Sequence, residues 1–458
     1  MPGDSTISGQ LAGFLHDLTF DDLPASVVEQ AKSRVLDALA TALEARDLPV
    51  PSAVLKWLSG NIGRATVIGH GLRLPAADAA FVNATLVNGC THDDFLEKSH
   101  AGAVTLPAAL AIAEQESCSG RDLIVGMVAG YEATARAYLG CPGMVPDFRA
   151  TGVAGAIGAA AAAGKLLRLD ASGLRNALGC STMFASGFGE GFLTGTMDVK
   201  LNVGWASRSG VSAAMLARCG ATSAPTAFEG VSGFCQAFGG TVEYAARALQ
   251  GLGERFLIED VIYKECPVCI FVQTPVYLAR TLAEERPLDP ARIRRVALLS
   301  PEGSYNNPGF KNMPPYINPL QARISAPFAV AAALLGHEVE SYAYYERYAD
   351  PEVAALAAKI ELLPPVSGNT DHVRLEVDYD GETIVRGGIE METLRPTLDK
   401  LVRKFTILSR DVLGDAANEV LDTVMELDRI GNIDALTRLL QVAVPARQGQ
   451  GERRMVVA

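Results

Sequence analysis

From Val153 to Leu167 the chain is almost entirely alanine and glycine, broken by Ile157 and, near its end, by Lys165-Leu166. So many small residues in one apolar stretch fit a packed helix that other helices approach closely on most sides. The stretch is too short and too weakly apolar to span a bilayer. Its spacing Gly152-x-x-Gly155-x-x-Gly158 has the look of a nucleotide loop. No strand precedes it and the helix runs through it, so the glycines read as helix contacts. Gly187-x-Gly189-x-Gly191 fails the same test.

The surrounding sequence repeats this character. Val27 to Leu43 carries Val28, Ala31, Val35, Leu36, Leu39 and Ala40 at helical spacing. The segments Ala76 to Val87, Leu106 to Glu116, Arg121 to Leu139, Ala154 to Leu167 and Trp205 to Cys219 predict helices too. After about Tyr263 the pattern changes. Arg294 to Leu299 predicts a strand, and His372 to Arg386 alternates apolar and polar residues around Asp380-Gly381, a hairpin signal. Helices are predicted between them, at Pro327 to Leu335 and Pro351 to Ile360. Helical pattern returns at Leu398 to Ile407, Asp415 to Leu427 and Ile433 to Val442. The expected fold is therefore mainly α: an all-helical domain over 1–262, a smaller α+β domain over 263–393, and C-terminal helices over 394–445 that pack back on the first domain. Residues 446–458 read as a frayed tail.

The formal net charge of the 458 residues is −12, which argues against nucleic acid or an anionic membrane as main partner. An acidic chain that binds an acidic small molecule must gather its cations locally. The start, Met1 to Ser5, has no basic region and no apolar run, so no signal peptide is expected. The eight cysteines are scattered and flanked by apolar residues, as in a reduced, cytoplasmic protein. Cys266-Pro267-Val268-Cys269 has metal-like spacing, but no second pair completes a zinc site, and two buried thiols are expected.

A few polar residues stand out against this background. Lys200 ends a segment, Ala185 to Val199, that is mostly glycine, small and apolar. Such a lysine is either an anion anchor in a pocket or a solvated charge on a loop. Lys264 is set among apolar residues where the two domains should join, a common place for ligand sites. The segment Asn83 to Gly102 packs polar groups between two apolar helices. In it His100 precedes a helix predicted to begin near Ala103, whose free N–H groups favour anions. A histidine there suits acid–base chemistry near neutral pH; its plainer role is a cap. Asp93-Asp94 reads as an N-cap cluster or as a pair orienting the histidine. Arg149, before a glycine-rich helix start, can grip a carboxylate with both arms of its guanidinium.

The order and spacing of these segments resemble the MmgE/PrpD family over about residues 8 to 443. The anchors are Asn83 through Asp94, His100 with Leu106 to Glu114, Gly130-Tyr131-Glu132, Gly195 to Lys200 with Ala206 and Gly210, Phe228-Glu229-Gly230, Lys264 with Pro267 and Cys269, and Gln321 to Ser325 with Pro327. The resemblance implies two domains with a site at their junction, a homodimer, and action on small di- or tricarboxylates with neither a metal nor an organic cofactor. It assigns catalysis to His100, Lys200, Lys264, Asp93 and Asp94, and substrate binding to Tyr131, Arg149, Thr91, Asn88, Cys269 and Gln273.

The chain departs from the family pattern at several of these places. Histidine is common where Asn88, Arg149 and Gln273 stand, aspartate where Thr91 stands, and arginine or histidine where Ile270 stands. The resulting expectation is a divergent lyase or isomerase that moves a proton α to a carboxylate, with dehydration, decarboxylation or epimerisation as outcome. The alternative is a non-catalytic carboxylate-binding or assembly protein on a degenerate scaffold.

Overall fold

A computed structural model describes residues 5–365, 372–389, 395 and 397–442. The tail expected at 446–458 lies outside the described residues. Helix dominates, and the chain's small-residue helix is its centre. Every residue of helix Ala150–Leu166 except Lys165 is buried. It packs against helices Ala101–Gln115, Gly120–Gly140, Ala171–Phe184 and Asp198–Arg218. The glycines explain the closeness. A Cβ on Gly158 would lie 1.8 Å from Thr134 Oγ1, and one on Gly210 would lie 2.4 Å from the Ala159 Cβ. The glycine repeat is thus a helix contact, as its sequence context predicts. Each buried alanine methyl contributes roughly 0.8 kcal/mol, so a helix of this composition is held by its neighbours more than by its own stripe.

Helix Ala25–Glu44 lies beside helices Ala76–Val87 and Leu398–Leu413. The C-terminal helices Leu398–Leu413 and Ala416–Met425 therefore touch the N-terminal helical body, and Leu401, Phe405, Leu413, Val420 and Val424 join its apolar core.

A second core lies under a four-stranded sheet, in the order Ile360–Leu363, Ile293–Leu299, Val373–Tyr379, Glu382–Ile389. The first pair is parallel, with Val296 opposite Ile360; the others are antiparallel, with Leu298 opposite Leu375 and Val377 opposite Ile384. Asp380 (φ +57) and Gly381 (φ +88) form the two-residue turn of the expected hairpin. The sequence predicts a helix from Pro351 to Ile360. The helix stops at Ala357, and Ile360 instead begins a strand beside Ile293–Leu299. Helix Ile270–Glu285, with Pro275 inside it, had no counterpart in the sequence reading.

Candidate active site

Residues 88–100 form the loop between helices Ala76–Val87 and Ala101–Gln115. Three of its non-glycine residues have positive φ: Thr91 (58°), Glu97 (45°) and Lys98 (58°). Such backbone persists only where its surroundings hold it. Here Phe95 and Ile262 exchange backbone hydrogen bonds of 3.0 and 2.8 Å, and Leu96 and Ser99 exchange two of 2.8 Å. The Phe95–Ile262 pairing draws the 262–265 segment alongside the loop.

Four cationic side chains converge on residues 88–91 of this loop. Lys200 Nζ donates to Asn88 O (2.7 Å), Asn88 Oδ1 (3.2 Å) and Thr91 Oγ1 (2.7 Å). Lys264 Nζ donates to Thr91 O at 3.0 Å. Arg149 Nη2 donates to Asn88 Oδ1 at 3.1 Å. Arg323 Nη1 donates to Cys90 O (2.8 Å) and Thr91 Oγ1 (3.3 Å). All four are buried. Arg149 Nε and Nη1 and Arg323 Nε are buried with no hydrogen-bond partner among the described residues. Lys200 lies in the first turn of helix Asp198–Arg218, which starts seven residues before the predicted Trp205; it is a helix residue rather than a loop residue.

Against these cations stands Asp93. Its Oδ2 accepts from Asn88 Nδ2 at 2.8 Å and lies 3.0 Å from His100 Nδ1. Burial pushes the Asp93 carboxyl up, but His100, Lys264 and Lys200 outweigh burial and hold it far below the usual carboxylate range. His100 Nδ1 also lies 3.0 Å from Asp94 O. A carbonyl and a carboxylate only accept, so Nδ1 carries the proton and Nε2 holds the lone pair. Nε2 has no partner among the described residues, and the side chain keeps 14% exposure. Burial lowers the His100 pKa to about 4; Asp93 works against this, and Lys264 and Arg149 add to it. At neutral pH the ring is a neutral base, oriented by Asp93 and next to buried positive charge.

The excess of positive charge shows in the lysines. Burial and then Arg323 and Arg149 bring Lys200 well below its ordinary 10.5, with Asp93 opposing. Burial lowers Lys264 too, with Asp93 opposing. Arg149 falls to about 10, again by burial first.

Not every sequence candidate joins this cluster. Asp94 turns its side chain the other way: Oδ1 accepts from Gly102 N at 3.0 Å, and Oδ2 accepts from the Tyr131 hydroxyl. Asp94 thus caps helix Ala101–Gln115, and Tyr131, fully buried, serves Asp94 rather than the cluster. Burial raises the Asp94 pKa to about 6. Gln273 is occupied as well. It accepts from Cys266 N at 3.3 Å and donates to Cys266 O (2.7 Å) and Val268 O (3.2 Å), so its amide braces that loop. Cys269 is half-buried at the start of helix Ile270–Glu285, its N–H bonded to Arg323 O at 3.0 Å. Its partner in the spacing, Cys266, is buried. No three His, Cys, Asp or Glu side chains among the described residues gather in a way that could hold a metal. The sequence reading saw Arg323 only as part of a motif. Its position in a six-residue helix, Pro319–Ile324, far along the chain, carries no local sign of a site.

Physically this is a buried cluster of cations beside a neutral histidine oriented by Asp93, set in a helical body joined to an α+β unit. The chain belongs to the MmgE/PrpD family. The MmgE/PrpD N-terminal domain matches residues 9–246 and the MmgE/PrpD C-terminal domain matches residues 266–428. The cis-aconitate decarboxylase of Aspergillus terreus is 25% identical over 488 residues, covering 96% of this chain and 97% of the relative. The human cis-aconitate decarboxylase is 27% identical over 470 residues, covering 96% and 95%. The mouse cis-aconitate decarboxylase is 25% identical over 474 residues, covering 95% and 93%. No helix among the described residues is long and apolar enough to cross a membrane.

Proposed function

We propose that this chain is a lyase that acts on a small di- or tricarboxylate by proton transfer at a carbon next to a carboxylate, using side chains alone. The observation that carries the reading is the charge arrangement: four buried cations meet residues 88–91 of one loop, and the Asp93 carboxylate faces them beside a histidine with a free Nε2. Burying unpaired charge is costly, so such a cluster calls for a polyanion. The unsatisfied guanidinium N–H groups of Arg149 and Arg323 are the places for its carboxylates.

The chemistry follows from the same groups. Substrate carboxylates bound by Lys200, Lys264, Arg149 and Arg323 would have their charge stabilised as it builds in the transition state. Each bound negative charge also raises the proton affinity of His100. A ring that is neutral in the free site can then take up a proton and deliver it from Nε2. In a decarboxylation the bond from carbon to one carboxylate breaks and carbon dioxide leaves. The electron pair passes to the carbon that takes the proton. Asp93 keeps the ring in the tautomer that faces Nε2 to the reacting carbon. The names of the relatives favour decarboxylation over dehydration or epimerisation. On the strength of the resemblance, the working form is a cytoplasmic homodimer.

The test is a panel of di- and tricarboxylates, cis-aconitate first, followed by carbon dioxide release and by deuterium uptake from heavy water. Turnover of one member, abolished in His100→Gln, is the expected result. If no member reacts or exchanges while several stabilise the protein thermally, the chain is a carboxylate binder and the lyase reading fails.

A further inference from the structure

We propose that Lys404, on the C-terminal helix Leu398–Leu413, is a positioning residue for this site: its ammonium ties the backbone before Asp93 to the backbone of Lys264. This rests on the reading of His100, Asp93 and Lys264 as the working groups. Lys404 is 5% exposed. Its Nζ donates to His92 O at 2.7 Å, to Lys264 O at 3.2 Å and to Asp37 Oδ1 at 2.8 Å. These three acceptors use all three N–H groups of an ammonium. His92 O belongs to the peptide that leads into Asp93. A single side chain from the end of the chain thus spans the two segments that carry the site's carboxylate and one of its lysines.

The surroundings are arranged to keep it there. The Tyr263 ring lies 4.8 Å below the ammonium. One turn earlier on the same helix, Lys400 Nζ meets Glu265 Oε1 at 2.6 Å. The His92 ring bridges the same two segments again, with Nδ1 2.9 Å from Glu44 Oε2 and Nε2 3.0 Å from Glu265 O. Asp37 and Glu44 are two turns apart on helix Ala25–Glu44 and so face the same way. The apolar core between these helices would be served equally by a methionine, and burying an ion pair brings little or no net stability over apolar packing. What a methionine could not do is hold two backbone carbonyls from distant segments in one place.

The test pairs Lys404→Met/Asp37→Asn, which removes both charges so that no carboxylate is orphaned, with Lys404→Arg. The arginine keeps the ion pair, but its planar fork cannot meet three converging acceptors. The double variant is expected to melt within a few degrees of the parent, yet kcat should fall at least 30-fold with KM changed less than threefold. In both variants the His100 imidazole, followed by NMR with labelled histidine, should titrate well above the parent's value. Should the double variant not fold, Lys404→Arg carries the same readouts. A kcat within threefold of the parent together with an unmoved His100 titration overturns the proposal. The imidazole titration needs no substrate, so it decides the point even if the parent turns over nothing. Loss of the lyase reading shows instead as a parent inactive on every carboxylate.

Discussion

Replacing Lys200 by methionine separates a site lysine from a structural one, because the two roles move activity and stability in different directions. Methionine keeps the length and apolar stem but removes the charge. The ammonium makes three hydrogen bonds, to Asn88 O, Asn88 Oδ1 and Thr91 Oγ1. Losing them costs about 1 to 3 kcal/mol for acceptors left unsatisfied. Against this, Lys200 is opposed by Arg323, Arg149 and Lys264 and favoured by Asp93. Two unit charges about 7 Å apart repel by about 2 kcal/mol at an effective dielectric near 20. Two net repulsions removed therefore offset the lost hydrogen bonds, and the variant should melt within a few degrees of the parent or above it. A charge-assisted bond from the lysine to a substrate carboxylate is worth about 1.5 to 3 kcal/mol, and more where it also meets charge developing in the transition state, so kcat/KM should fall at least about 100-fold. Thermal melting in a buffer free of polyanions and steady-state turnover check the pair. A variant that keeps turnover within threefold, or that melts many degrees lower, refutes the reasoning.

Three further outcomes follow from the same charges. Burial and neighbouring cations lower the Lys200 and Lys264 pKa values in the folded chain, so the unfolded chain binds those protons more tightly; stability of the ligand-free protein should rise as pH climbs from the depressed values toward 10.5, and the rise should shrink in Lys200→Met, as melting at stepped pH will show. With His100 at about 4 in the free site and its proton needed for delivery to carbon, kcat/KM should fall as pH rises from about 5 to neutrality, whereas a profile level over that range would assign the proton donor elsewhere. Gln273→Ala should cost about 1 to 3 kcal/mol of stability by releasing the Cys266 and Val268 backbone, with KM changed less than threefold in a carboxylate titration.

The parts of the site that were legible in the sequence are those whose local setting is already unusual. His100 and Asp93 sit in a polar stretch between two apolar helices, and Lys264 in an apolar one, so composition alone marks them. The helical body was legible because its alanine and glycine spacing leaves one outcome, although its starts shift. Helix Asp198–Arg218 begins seven residues before the predicted start at Trp205, so Lys200 lies inside a helix expected to begin after it. What was not legible is where a side chain is spent. Tyr131 and Gln273 are polar residues near the site in sequence order, but one bonds to Asp94 and the other to a neighbouring loop. Arg323 and Lys404 reach the loop from remote helices. Strand Ile360–Leu363 takes its state from a parallel partner over 60 residues away in sequence, which no local period reports.

Thr91 bears on why the cluster carries so much uncompensated charge. It is β-branched yet holds φ +58, a conformation that aspartate or asparagine adopts more readily. Its hydroxyl meets Lys200 and Arg323, and its carbonyl meets Lys264. An aspartate, which the family resemblance expects at this position, would relieve the backbone by about 1 kcal/mol and would neutralise one cation. Thr91→Asp should therefore raise the melting temperature of the ligand-free protein and raise the lysine pKa values toward their ordinary range. A built-in carboxylate at the centre of the cluster also occupies the donors that a substrate carboxylate needs. Polyanion affinity should drop about 10- to 100-fold, the worth of one charge-assisted hydrogen bond. A fall in stability would mean that the cluster is already charge-balanced, and unchanged affinity would mean that the substrate binds away from Thr91. If stability rises while affinity falls, threonine at this position trades fold stability for room to hold one more negative charge.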